Sequence, residues 1–206
     1  MQPAHALDQS RTLLVVGDSL SAGFGLEPGQ DWVTLLQNRL DAKGYGYRVV
    51  NASISGDTTT SGLGRLPRAL KVHRPSIVLI ELGGNDGLRA TPIAVMRQNF
   101  TEMIRLARQS GVRVVLVGMQ MPPNYGARYT AQFAALYPEL ARAQKVPLID
   151  FILDGIALDR SLMQADGIHP NAAAQPRLLD NVWPALEKEI RAVSAAAPKP
   201  KATGAL

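Results

Sequence analysis

A chain of 206 residues, 46% apolar and 19% charged, has the length of about one globular domain and enough apolar mass to close a single core. The absence of cysteine excludes a disulfide framework, a thiolate metal site and a cysteine nucleophile. A formal net charge of +5, with no basic run interleaved with aromatics, gives no footprint for nucleic acid, and no stretch of about 18 apolar residues is present to span a membrane.

The opening Met1–Ala6 ends in Ala4-His5-Ala6, a small-residue pattern like that before a signal-peptidase cut. An exported precursor and a periplasmic or secreted protein are therefore expected, with the cytoplasm as the alternative. Residues 1–10 are expected to form a flexible arm. Thr12–Val16 is the first strand-like run. It leads into Gly17-Asp18-Ser19-Leu20-Ser21-Ala22-Gly23, where glycines let the backbone turn and a substrate approach. Ser19 has two readings there, a nucleophile presented at a strand end or a helix N-cap. Gly23-Phe24-Gly25-Leu26-Glu27-Pro28-Gly29 invites a dinucleotide reading. It fails, because Pro28 holds the place of the third glycine and the glycines do not lead straight from the strand into a helix.

Trp32, Leu35, Leu36, Arg39 and Leu40 have helical spacing. Arg48–Asn51 is the second strand and runs into Asn51-Ala52-Ser53-Ile54-Ser55-Gly56-Asp57-Thr58. Gly56 can aim a bare backbone N–H at a reaction centre, while Asp57 or Thr58 can cap the helix expected over about Thr59–Leu70. The third strand, Ile77–Glu81, ends in Gly83-Gly84-Asn85-Asp86-Gly87. The Asn85 amide can donate to a developing oxyanion or close an Asx-turn. A helix is expected from Pro92 through Phe100, Ile104 and Ala107, with Gly111 just after it. Strand Val112–Val117, a helix over about Ala127–Gln144, strand Val146–Asp150 and a last helix over about Asn171–Val193 complete one domain, 11–193. The tail 194–206, rich in Ala, Pro and Lys, is expected to be disordered.

The alternation of strand and helix places the chain in the α/β class, with a parallel sheet covered on both faces, right-handed crossovers and function at the carboxyl ends of the strands. One further block, Asp166-Gly167-Ile168-His169-Pro170, precedes the last helix. At this spacing Asp166 can accept the Nδ1–H of His169 and leave Nε2 free as a base. His5 and His73 have no comparable partner and read as surface residues. Ser19, His169, Asp166, Gly56 and Asn85 together supply a nucleophile, a base, an orienter and oxyanion donors, the set that acyl transfer needs.

These blocks resemble those of the SGNH, or GDSL, hydrolase family, and within it the bacterial thioesterase, lysophospholipase and arylesterase branch. The likeness covers about residues 11–190. Gly-Asp-Ser-Leu carries the family's serine at Ser19, the glycine block falls on Gly56, Gly-Gly-Asn-Asp carries the asparagine at Asn85, and Asp-Gly-Ile-His-Pro carries Asp166 and His169. The resemblance implies a three-layer α/β/α, flavodoxin-like five-stranded parallel sheet. It implies an acyl-serine intermediate, with the Ser19 and Gly56 N–H groups and the Asn85 side chain as the oxyanion hole. It implies no metal and no cofactor, and small acyl esters, thioesters or lysophospholipids as substrates. The Gly-x-Ser-x-Gly elbow of α/β-hydrolases is absent, since Ser21 stands two residues after Ser19. A monomer is expected.

Ile54, Leu88, Met121, Ile156 and Ile168 are apolar residues near the expected site and candidates for substrate contact. They speak for an apolar acyl group over the sugar of a carbohydrate acetylesterase, the alternative on the same fold. A non-catalytic binding module usually lacks one of the catalytic residues, and here all are present. Asp18 and Asp86 are expected to hold the strand-end turns through loop N–H groups.

Overall fold

The computed structural model describes residues 11–196. The Ala4-His5-Ala6 segment, and the tail from residue 197 on, lie outside the described residues. Five strands, β1 (Arg11–Gly17), β2 (Tyr47–Asn51), β3 (Ile77–Glu81), β4 (Arg113–Val117) and β5 (Leu148–Ile149), form one parallel sheet in the order β2-β1-β3-β4-β5. Leu13–Val16 of β1 and Ile77–Ile80 of β3 are completely buried. These runs are apolar on both faces because both faces are covered, as a central parallel strand requires. At the edges the demand relaxes, and β2 carries exposed Arg48 and Asn51.

The helices are α1 (Ser19–Ala22), α2 (Trp32–Ala42), α3 (Thr59–His73), α4 (Gly84–Leu88), α5 (Ile93–Gln109), α6 (Ala127–Gln144) and α7 (Gln175–Ala196). On one side α2 packs on α7; on the other, α3 packs on α5 and α5 on α6. Trp32, Leu36 and Leu40 recur at helical spacing and are completely buried, so the α2 stripe read from sequence is its core face. Side chains stop the helices from fraying. Asp31 accepts the Thr34 N–H at 2.9 Å to start α2, and Thr58 and Ser61 form a reciprocal capping box at the start of α3.

β1, β2 and β4 differ from expectation by a residue at one end or both, and α3 runs on to His73; β5 and the last helix move for identifiable reasons. β5 is two residues long, where a run over 146–150 was expected. Val146 spends its N–H on Ala141 O, closing α6, and Pro147 has no N–H to give a ladder. The last helix begins at Gln175, not Asn171. Asn171 instead caps a short 3-10 turn, Ala172–Ala174, and Pro176 takes a place in the first turn of α7, where a missing N–H costs nothing. That helix runs on past Val193 to Ala196.

β1 lies between β2 and β3, so the chain leaves β1 in one direction and returns to its other side. This is the switch point of a doubly wound sheet, where the loops after β1, β2 and β3 part to leave a crevice. The short helices α1 and α4 start directly at the ends of β1 and β3.

Candidate active site

The turn after β1 removes one of the two readings of Ser19, that of helix N-cap. Asp18, not Ser19, is the N-cap of α1, and its Oδ1 accepts the Leu20 N–H at 3.1 Å. Ser19 is the first residue of the helix, and its hydroxyl is free of capping duty. Ser19 Oγ lies 2.8 Å from His169 Nε2, and His169 Nδ1 lies 2.6 Å from Asp166 Oδ2. With Nδ1–H donating to the carboxylate, Nε2 of a neutral ring accepts the Ser19 hydroxyl proton.

Asp166 is committed more firmly than its spacing alone implied. Its Oδ1 accepts the N–H groups of Ile168 and His169 at 2.9 and 3.0 Å. Hydrogen bonds from the His169 backbone and ring, then from Ile168, hold its carboxyl down at about 2. Asp166 therefore stays ionised wherever the imidazole can act as a base. Because its folded value is depressed, its contribution to stability is present above the unfolded value of about 4 and is lost as pH falls through about 2. The melting temperature of Asp166→Asn should accordingly lie below wild type by a constant margin above about pH 5, and the margin should close as pH falls from about 4 toward 2. A pH-independent margin would show that the carboxylate charge carries none of it.

The loop bearing His169 is tied to itself and to the nucleophile side. Met163 and Pro170 form an antiparallel bridge, and Gln164 N–H donates to His169 O at 2.7 Å. Gln164 Nε2 reaches Phe24 O at 2.8 Å and Pro170 O at 3.1 Å. The Phe24 ring rests on the imidazole, centroids 4.5 Å apart. Sequence reasoning missed both Gln164 and Phe24. The signal for Phe24 is an aromatic set between glycines just after the serine turn, which in sequence reads only as part of a nucleotide motif.

Asn85 bridges the other two turns. Its Nδ2 donates to Asp57 O at 2.9 Å and to Asp18 Oδ2 at 3.2 Å. It thus draws together the residue before Ser19 and the residue after Gly56. Gly56 has φ +85, a conformation that a residue with a Cβ resists. Neither the Ser19 nor the Gly56 N–H has a hydrogen-bond partner among the described residues. An oxyanion between them would compete with Asp57 O and Asp18 for the Asn85 amide. Arg65 of α3 braces the same region, pairing with Asp57 and donating to Ala52 O and Gly17 O. Asp86 accepts the Thr59 N–H and hydroxyl, each at 2.7 Å, and so pins the start of α3 to α4. Asp18 and Asp86 both accept backbone N–H groups, but at the starts of helices α1 and α3 rather than in the loops expected.

Of the residues expected to contact substrate, Ile54, Leu88 and Ile168 are exposed. Ile156 is completely buried and Met121 nearly so, packed beneath Gly87. Both belong to the core and offer a ligand no surface in this conformation, so the expectation for them is corrected. An apolar residue in a loop has two ways to be satisfied, and only the folded chain decides between them. Among the described residues, no cluster of three or more His, Asp or Glu side chains is arranged to hold a metal.

The model of the GDSL-like lipase/acylhydrolase family matches residues 15–176. The chain is 55% identical over 178 residues to esterase TesA of Pseudomonas aeruginosa, covering 86% of this chain and 89% of that one. It is 44% identical over 169 residues to thioesterase 1/protease 1/lysophospholipase L1 of Escherichia coli K12, covering 82% of this chain and 80% of that one. The crystal structure of the psychrotrophic esterase EstA from Pseudoalteromonas sp., inhibited by monoethylphosphonate, is similar with a TM-score of 0.84 and 38% identity, covering 88% of this chain and 99% of that one.

Proposed function

The chain belongs to the GDSL-like lipase/acylhydrolase family, and from that membership we propose how its residues divide the work of ester hydrolysis. It is a serine hydrolase that cleaves carboxylic esters and thioesters, as the names of its relatives, esterase and thioesterase, indicate. The observation that carries the assignment of roles is the unbroken line Asp166–His169–Ser19, at 2.6 and 2.8 Å, together with Ser19 and Gly56 N–H groups that have no partner among the described residues. Ser19 attacks the acyl carbonyl as His169 Nε2 takes its proton. Asp166 holds the ring in the tautomer that makes Nε2 the base. The Ser19 and Gly56 N–H groups and the Asn85 amide bind the oxyanion. His169 returns the proton to the leaving alcohol or thiol, and water repeats the cycle on the acyl-serine.

The substrate class is read from the apolar residues exposed on the loops that carry the site residues. Ile54, Leu88 and Ile168 offer apolar surface, which suits an acyl chain better than a sugar. Fatty acyl thioesters and lysophospholipids are the proposed substrates. A monomer exported to the periplasm is the proposed form; among the described residues no helix is long and apolar enough to cross a membrane.

Leu88 is the residue proposed to set chain length. It ends α4, one turn from Asn85, and is 40% exposed. The segment after it is anchored by Arg89 to Gly56 O at 3.3 Å and by Tyr129 to Thr91 O at 2.9 Å. Each methylene covered contributes up to about 0.8 kcal/mol, so covering three or four shifts preference by roughly one to two powers of ten. With p-nitrophenyl acetate, butyrate and octanoate, Leu88→Ala should flatten the rise in kcat/KM from butyryl to octanoyl while leaving acetyl nearly unchanged. An equal loss on every chain length, or a lowered melting temperature with specificity intact, would make Leu88 a packing residue only. No activity on any of the three esters would overturn the substrate class.

A further inference from the structure

Glu81 takes no part in the reaction just described, yet it sits beneath it. It ends β3 and is completely buried. Its Oε2 accepts from Ser21 Oγ at 2.6 Å and from the Asp18 N–H at 3.3 Å. The carboxyl therefore bonds to both sides of Ser19. The backbone has been cleared for it: a Cβ on Gly17 would lie 2.5 Å from Glu81 Oε2 and 2.8 Å from Ser21 Oγ. Its Oε1 is buried without a hydrogen-bond partner among the described residues.

The ionisable groups around it are a poor setting for a negative charge. Asp18 approaches from the α1 turn, Asp86 lies in α4, and Tyr137 of α6 gives its phenol hydrogen to Leu82 O at 3.0 Å. The nearby cation, Arg65, is taken up by Asp57, Ala52 O and Gly17 O, and His169 lies beyond Asp18. A buried carboxyl without a cation neutralises rather than stay charged. Burial, then the adjacent Asp18 charge, push Glu81 well above the usual carboxylate range.

We propose that Glu81 is a positioning residue that works as a neutral acid, tying Asp18 and Ser21 to the end of β3 so that Ser19 and, through Asp18, the Asn85 amide are held in place. The carbonyl oxygen of the acid accepts from Ser21 and Asp18 N–H. Its hydroxyl is then Oε1, the buried oxygen without a hydrogen-bond partner among the described residues, in the vicinity of the Asp18 carboxylate. Asp18 Oδ2 in turn accepts the Asn85 amide at 3.2 Å, so a shift of Asp18 is passed to the oxyanion donor. Loss of the proton sets two buried carboxylates side by side and pushes the two turns apart.

The inference rests on the roles given to Ser19 and Asn85, and its test separates the two. Glu81→Gln keeps an acceptor and a donor but cannot ionise; Glu81→Met fills the space without polar atoms. A displacement of about 1 Å in a site costs on the order of 100-fold, so Glu81→Met should lose between about 10- and 100-fold in kcat with KM changed less than about threefold. Wild-type kcat should decline on the alkaline side as Glu81 loses its proton, and Glu81→Gln should recover most of the rate lost in Glu81→Met and lack that decline. The infrared difference spectrum of wild type against Glu81→Gln at neutral pH should contain the carbonyl stretch of a protonated carboxyl, a readout that does not need the methionine variant to fold. The folded-state value is raised, so wild-type stability should fall as pH rises from about 4.3 toward it, and Glu81→Gln should lack that slope. A fully active Glu81→Met, a Glu81→Gln as slow as Glu81→Met, or carboxylate bands in place of the acid would overturn the proposal. An active Ser19→Ala would overturn the underlying reading instead.

Discussion

Ser19→Ala is expected to lose about four to six powers of ten in kcat while the protein folds and melts as wild type does. The two halves of that expectation have separate causes. The rate collapses because the acyl group has no other oxygen to join, and a residual rate above water comes only from the oxyanion donors and binding. The fold survives because Asp18, not Ser19, caps α1 through the Leu20 N–H at 3.1 Å. Alanine is also the best helix former at the position Ser19 holds. The one hydrogen bond removed is that to His169 Nε2, at a partly exposed position where water can replace it. Circular dichroism and a melting curve beside the ester assay check both halves. A loss of activity matched by a loss of structure would make Ser19 a turn residue and nothing more.

Asn85→Ala is expected to lower kcat by roughly 100- to 1,000-fold, with a much smaller rise in KM, because a preorganised donor is worth most where charge develops. Asn85 also ties Asp57 O to Asp18 Oδ2, so a second cost accompanies the first. Asp18 is nearly completely buried, and it loses a donor that helps hold its carboxyl down against burial. The melting temperature should therefore fall modestly as well. The two effects separate by rate constant: a loosened turn lowers stability and slows every step, whereas a lost oxyanion donor spares binding. A change confined to KM would show that Asn85 only positions substrate.

What could be read from the sequence divides by distance along the chain. The central strands were legible because β1 and β3 are buried on both faces, which requires unbroken apolar runs. The pairing of Asp166 with His169 was legible because both lie in one turn. The position of β5 was legible but its shortness was not, since the apolar run around Val146–Ile149 gives no sign that Val146 spends its N–H on α6. The turn at Ser19 is ambiguous when taken alone, because Asp18 and Ser19 are both good caps and the backbone seats only one of them; the other blocks resolve it only in combination. The Asn85 amide meets Asp18 and Asp57, 67 and 28 residues away in sequence, so its engagement with them had no local trace. Glu81 read as the last residue of a strand. Nothing nearby in sequence says that its carboxyl points into a closed space between Ser21 and Asp18. Met121 and Ile156 show the same limit from the apolar side, since hydrophobicity tells that a residue avoids water and not which surface it shares.

The most direct test of the central claim, that Ser19 is the group acylated, is to react the protein with a fluorophosphonate and locate the adduct by peptide mass spectrometry. A phosphonate at the tetrahedral phosphorus stands in for the acyl-transfer intermediate, so it attaches where the nucleophile, base and oxyanion donors converge. The expected result is one adduct, on Ser19, with none on Ser19→Ala. An adduct on Ser21, Ser53 or Ser55, or labelling that persists in Ser19→Ala, would contradict it.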